Sequence, residues 1–519
     1  MRIGWAVALA ATVSVICSGA AGPAAASTAA SRAQVAAKLT PHTPWTPPPD
    51  AMTAPLKAAL EKLKADDYPG VYALAKPYTE RPDFETLPET VRHLAWHLVG
   101  LGAWQTDRGP EAHKAFKTSS KLAGAIGWDW LYRSYTAAND KDPHDAVYAF
   151  TTMLETDPEP LAQVDDAFIG ELRRQALELP RGEQRLMALA DDLLDVDWKP
   201  RDATGDWSDF WLEHAARLLD RGDVARAGKT MARVTSPDAL ASARADRRFA
   251  PLLRQDPARF DVAKAHAARL AATRARMAEK PRSVGAVNAY ALALFGMGRA
   301  AEVVTVTQAA LERRLDSWDD AKDRPWLLDI QARALRDLGR FDDALVAWRM
   351  ATRPEIGGGV SQELNLADAL LELDRPAETL TIVGGVKPDK ISAFGRMVAA
   401  NLSACANAQL GDRAGVERAF AALAADRDAI PFLEMSGHLC AGDQDGAAAV
   451  LIALLKDPET RLEALADAQD YPEEAVTAPF RRAQLARRRA LYARPDVRAA
   501  IAAVAAVGRV ERQPYPAVY

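Results

Sequence analysis

The chain has 519 residues, nearly half of them hydrophobic, which is ample for a large core and too long for one small domain. Charged residues make up 26% and the formal net charge is −5, so no strong overall field points to nucleic acid. Alanine is abundant, arginine far outnumbers lysine, and runs rich in Val, Ile and Thr are nearly absent, a balance that favours helices over strands.

The first residues predict export. Arg2 supplies a short positive start, Ile3 to Ile16 is almost unbroken apolar sequence, and Ala24-Ala25-Ala26 offers the small residues that signal peptidase needs. Residues 1–26 are therefore expected to be a signal peptide, with the mature protein periplasmic or secreted. The apolar run is shorter than the roughly 20 residues of a membrane span, and an uncleaved anchor is the alternative. Ile16 stands where a lipoprotein would carry a small residue before Cys17. After cleavage only Cys405 and Cys440 remain. An oxidising compartment permits a bridge between them, and two buried thiols are the other reading.

Residues 27–56 form an Ala/Pro-rich linker, in which Pro41, Pro44, Pro47, Pro48 and Pro49 deny helix and favour an extended tether. From Pro55 onward apolar residues recur three and four apart, broken by short Gly/Asp/Pro turns. The turns fall near Asp67, Asp107, Lys141, Gly182, Gly222, Gly298, Gly339, Asp374, Gly411 and Gly442. Most neighbours lie 31 to 42 residues apart, and the 76 residues from Gly222 to Gly298 read as two periods. Such a period marks a helix–turn–helix solenoid.

Large and small residues alternate around these turns at fixed offsets. Trp96, Gly100, Ala112 and Phe116 surround Asp107. Trp130, Ser134, Ala146 and Phe150 surround Lys141, with Pro158 closing the unit. Trp211, Ala215, Leu218, Ala227 and Met231 surround Gly222, and Leu328, Ala332, Leu335, Ala344, Trp348 and Ala351 surround Gly339. Val287, Ala291 and Leu294 before Gly298, and Ala404 and Phe420 about Gly411, are partial copies. Over most of residues 57–457 the chain resembles the tetratricopeptide repeat family. The resemblance implies an all-α fold, a right-handed superhelix of antiparallel helical hairpins. The repeats at Asp67, Gly182 and Asp374 depart from the family pattern.

Residues 57–236 are expected to form a first array and 283–457 a second. The segment between them, 237–282, resembles the short closing segment of tetratricopeptide groups, with Phe249 and Phe260 laid against the last hairpin. The tail, 458–519, holds nine arginines between Arg481 and Arg512, against Asp496 and Glu511. It is expected to be a basic helical cap docked through Val497, Ile501, Val504 and Val507, and its arginines offer contact with a membrane or cell-wall polymer.

No motif points to catalysis or a cofactor. Gly222 to Thr230 resembles a phosphate-binding loop, with one residue too many and no preceding strand. His93 and His97 share a helix face, but Leu94 stands where a zinc peptidase needs glutamate and His113 is the only third ligand in sight. No metal is expected. Gly357-Gly358-Gly359 reads as a joint between hairpins. In the family the first helix of each hairpin lines the concave surface. By its offsets His97, Trp104, Gln105, Tyr135, Asn139, Asn288, Arg333, Arg336, Asn401 and Gln409 face inward. Amides there suit a peptide backbone and arginines a carboxylate. The expected function is a non-enzymatic scaffold with a peptide or protein partner. A cell-wall enzyme or its accessory, and a membrane-tethered envelope-assembly factor, are the alternatives.

Overall fold

The structure, a computed structural model, describes residues 54–201, 207–313, 318–426, 431–469 and 478–506. The expected signal peptide and nearly all of the linker lie outside these residues. No helix among them is long and apolar enough to cross a membrane. The described residues are helical, and their one β contact is a bridge between Asp246 and Ala505.

The contacts divide the chain between residues 202 and 203 into two compact units. The first holds four antiparallel hairpins: α1 (Ala54–Lys64) with α2 (Tyr68–Thr79), α3 (Glu89–Gln105) with α4 (Gly109–Ser119), α5 (Gly127–Asn139) with α6 (Pro143–Thr156), and α7 (Asp166–Glu178) with α8 (Gly182–Asp195). The second opens with the hairpin of α9 (Ser208–Asp220) and α10 (Val224–Met231). The joint follows as α11 (Pro237–Ala245), α12 (Ala250–Gln255) and α13 (Val262–Glu279). Further hairpins are α14 (Val284–Gly296) with α15 (Ala300–Leu311), α16 (Trp318–Asp337) with α17 (Phe341–Ala351), α18 (Val360–Glu372) with α19 (Pro376–Gly385), α20 (Ala393–Leu410) with α21 (Arg413–Ala425), and α22 (Pro431–Ala441) with α23 (Gln444–Lys456). The tail supplies α24 (Arg461–Asp467), α25 (Pro479–Ala493) and α26 (Pro495–Val504). The Gly222 hairpin thus falls in the second unit and packs on the joint.

The hairpins are made by one turn chemistry. Asp107, Lys141, Gly222, Gly298, Gly339, Asp374, Gly411 and Gly442 all have positive φ, and Asp66 and Arg181 do so one residue from the expected turns. A single left-handed residue ends the first helix and reverses the chain. At each of these turns except Arg181, the next residue's N–H reaches back to the carbonyl five positions earlier, as Asp142 does to Ala137 at 2.9 Å and Arg340 to Leu335 at 2.9 Å. Where that next residue is aspartate it also caps the second helix: Asp67, Asp142, Asp223, Asp412 and Asp443 each accept the N–H three residues on. Lys141 is exposed and held at φ 60°, a conformation that costs an L-residue about 1–2 kcal/mol. Lys141→Gly is expected to stabilise by about 1 kcal/mol, less the extra freedom of glycine in the unfolded chain. A urea midpoint that falls instead would show that the lysine side chain contributes more than its backbone costs.

Small and large residues meet as the offsets predict. A methyl on Gly100 would lie 2.7 Å from the Phe116 ring. Ser134 donates to the Ala146 carbonyl at 2.8 Å. The Asp374 hairpin, which departs from the family in sequence, repeats that bond from the opposite helix, with Thr379 donating to the Ala367 carbonyl at 2.9 Å. No described residue between Gly222 and Gly298 has positive φ, so the double period is filled by the joint rather than by a further hairpin of this kind. Phe249 and Phe260 are fully buried, and the 3-10 turn bearing Phe249 packs on α9.

Candidate functional site

In the first unit, α3 places His93 and His97 one turn apart, facing the start of α5. Asp129 enters between them in the third position of α5. Its Oδ2 lies 2.8 Å from His93 Nε2 and accepts the Ile126 N–H at 3.0 Å. Its Oδ1 lies 2.8 Å from His97 Nδ1 and accepts from the Ser119 hydroxyl at 2.7 Å. His93, His97, Ser119 and Asp129 are all buried. The histidine pair is therefore interior, and its third neighbour is Asp129, not His113. The atoms lie close enough together to surround a cation. Yet each carboxylate oxygen already has two partners, which makes the group a closed hydrogen-bonded hub joining two hairpins.

The hydrogen bonds and the two imidazoles hold the Asp129 carboxyl far below its ordinary 3.8, against the opposing pull of burial. A carboxyl lowered by folding adds stability that is present above its unfolded value and is lost as pH falls towards the folded one. Acid unfolding of this unit should therefore begin near pH 3.8 and continue below it. Asp129→Asn should flatten that arm of the stability–pH profile; an unchanged profile would remove Asp129 as its source.

His113 belongs to a second group. Its Nε2 lies 2.7 Å from Asp145 Oδ2, and Asp145 also accepts two bonds from Arg133, at 3.0 and 2.5 Å. The Arg133 guanidinium lies 5.1 Å from the Trp130 ring and 5.3 Å from that of Tyr148. Against the opposing pull of burial, the hydrogen bonds from His113 and Arg133 and the charges of Arg133 and Lys117 hold the Asp145 carboxyl well below the usual range.

In the second unit the expected carboxylate-binding arginines are buried: Arg333 is 4% exposed and Arg336 9%. Arg333 Nε donates to Asp329 Oδ2 at 2.7 Å. Asp329 Oδ1 also accepts from Trp348 Nε1 at 2.9 Å and from Asn365 at 3.2 Å. Arg336 donates to Glu372 at 3.3 Å, and Glu372 accepts a further bond, at 2.8 Å, from Arg481 of α25. Burial and the neighbouring Glu372 push the Asp368 carboxyl up to about 7, while the surrounding arginines hold Glu372 down. The arginines already have carboxylates, all within this chain. Open-face readings are corrected likewise for His97, Tyr135 and Asn401, which are buried. The Tyr135 ring stacks 4.1 Å from that of Phe168. Trp104, Gln105, Asn288 and Gln409 are half-buried, and Asn139 is exposed. Gln409 donates to the Leu371 carbonyl of the preceding hairpin at 3.2 Å.

Asp129, Asp329, Asn365, Asp368, Glu372 and Arg481 were not foreseen. Spacing carries a signal for several of them: His93 and Asp129, Asp329 and Asn365, and Arg336 and Glu372 are each 36 residues apart, one repeat. Polar residues one period apart meet across adjacent first helices. Cys405 of α20 and Cys440 of α22, 35 apart, are joined as a disulfide with Cα atoms 4.8 Å apart, which decides between the two readings of these cysteines.

The tail does more than cover the end of the array. Val497 of α26 is fully buried in the core over α23. Ala506 N–H donates to the Ala245 carbonyl at 2.8 Å, so the chain reaches back to the joint. Helix α25 runs past the ends of α18 and α22 and the start of α23. Arg487 donates to the carbonyls of Leu439 and Cys440, at 3.1 and 2.8 Å, and Arg488 pairs with Asp467.

No family model matches the sequence, and no curated protein matches it. Among solved structures, the Naa15/Naa10 complex bound to HypK-THB is 14% identical, with 84% of this chain and 79% of that one covered, at a TM-score of 0.25. Yeast Tom70 is 11% identical, covering 80% and 94%, at 0.28. The Cut9–Hcn1 hetero-tetramer of the APC/C is 11% identical, covering 86% and 95%, at 0.29. The fold is tetratricopeptide-like. That statement stands on the turn geometry and on the paired small and large residues of the hairpins.

Proposed function

We propose that the protein is an exported, non-enzymatic scaffold that holds a peptide or protein partner on its helical hairpins. The observation that carries this reading is α25. The array holds a helix of its own chain through ion pairs and bonds to carbonyls at a helix end, the kind of contact by which a partner helix would be held. Export is supported by the charged, apolar and small-residue order of residues 1–26 and by the pairing of Cys405 with Cys440, since disulfides persist in oxidising compartments.

The test is cross-linking of the native protein in envelope extract, followed by mass spectrometry, with Gln105→Ala, Asn139→Ala and Asn288→Ala combined as the comparison. These residues keep exposed surface and lie on first helices. The wild type should capture a defined partner and the variant much less of it. Failure to enrich any partner would sink the scaffold reading. Mature protein beginning near Ser27 is expected, and a native N-terminus at Met1 would defeat the cleavage.

A further inference from the structure

We propose that the acidic end of α18, formed by Asp368 and Glu372, is a receptor for an arginine-bearing helix of a partner protein, and that α25 is the chain's own occupant of it. This rests on the scaffold reading and gives its partner a chemistry. Asp368 and Glu372 are one turn apart on the same face, so their charges repel. Arg333 donates to Asp329 and Arg336 to Glu372, so Arg336 is the α16 arginine seen hydrogen-bonded to the acid pair. Arg336 reaches Glu372 at 3.3 Å, and Arg481 adds a second guanidinium to the same carboxylate at 2.8 Å, from a residue 109 positions away in sequence. Guanidinium suits this place because its planar donors satisfy a carboxylate while its charge stays weakly hydrated.

The way the tail is held makes α25 the exchangeable part. Helix α26 is anchored by apolar packing, with Val497 buried and Ile501 and Val504 against the core. In α25 only Leu491 is fully buried. Phe480 is half-buried beside the Cys405–Cys440 cluster, Tyr492 packs with Leu491 on the core that also seats Val497, and polar contacts complete the hold. Gln484 donates to Cys440 Sγ at 2.8 Å, Gln444 donates to the Arg487 carbonyl at 3.1 Å, and Arg494 pairs with Asp445 at 2.7 Å. Of these the Arg494–Asp445 ion pair weakens with salt, whereas the apolar seat of α26 does not depend on it. A competing helix therefore needs an arginine preceded by an aromatic residue, the order of Phe480 and Arg481.

The experiment uses the full chain and a labelled synthetic peptide of residues 478–494, followed by fluorescence anisotropy at low and at physiological salt. Wild type should bind the peptide weakly, because α25 competes. Arg481→Ala should bind it about tenfold tighter, with affinity falling as salt rises. Adding Glu372→Gln should abolish the gain. Arg487→Ala with Arg494→Ala loosens α25 without touching the acid pair and should also tighten binding, which keeps the test open if Arg481→Ala does not fold. Circular dichroism confirms the fold of each variant. The proposal is overturned if folded variants show no tightening, or if a peptide with glutamine in place of Arg481 binds equally well. Self-association of the loosened variants, with tails exchanged between copies, would also overturn it, since the occupant would then be a second copy. If partners are captured from extract but this peptide does not compete with them, the receptor falls and the scaffold stands. If the peptide binds as expected and no partner is captured, the scaffold falls and the receptor falls with it, the site being a seat for α25 alone.

Discussion

Arg333→Ala combined with Arg336→Ala should lower the melting temperature sharply. Both side chains are buried, and each faces a buried carboxylate of another residue. Removing one partner of such a pair leaves the other charge without its counterion, at a cost of about 3–5 kcal/mol. Asp329 would keep only Trp348 and Asn365, which are neutral donors, and Glu372 would keep Arg481. The sequence predicts the reverse, because its offsets set both arginines on an open concave face where substitutions matter little to stability. Melting curves for the double variant therefore discriminate between the two placements. A transition close to that of wild type would return the arginines to solvent and free them to bind a partner's carboxylate. Lysine at both positions should recover little, because an ammonium does not reproduce the guanidinium fork.

Trp211→Ala should be comparably damaging, at about 3–5 kcal/mol. Trp211 is 1% exposed, meets Phe210 edge to face, and lies under the Arg233 guanidinium at 5.2 Å. The loss should fall on the hairpin of α9 and α10 and on the joint, where Phe249 packs on α9, because contacts in a repeat array are local. Hydrogen exchange resolved by segment is the measurement. Faster exchange confined to about residues 208–260 is the expected result, and uniform acceleration across all hairpins would show that the array unfolds as one cooperative block.

Much of the architecture was legible from residues alone. The turns are set by one residue of positive φ followed by a capping aspartate or an arginine, and that chemistry needs no knowledge of distant contacts. So most of the turn positions read from Gly and Asp are the residues that carry positive φ. The close approach of Gly100 to Phe116 and the burial of Trp211, Phe249 and Phe260 follow from period and size in the same way. Tertiary structure decided which polar side chains reach water. A first helix has one face towards its own hairpin, one towards the next, and one that is open, and a shift of about one residue, ~100° of rotation, moves a side chain from one to another. Offsets therefore could not separate Arg333, which reaches inward to Asp329, from Asn139, which stays exposed. They also could not show that His93 and His97 share a carboxylate supplied by the following repeat. The tail was the least legible part. Its basic composition was plain, but the return of Arg481 to Glu372 is a contact across 109 residues that no local pattern announces. It joins the tail to the buried Glu372 at the end of α18, which also accepts from Arg336 of the preceding hairpin.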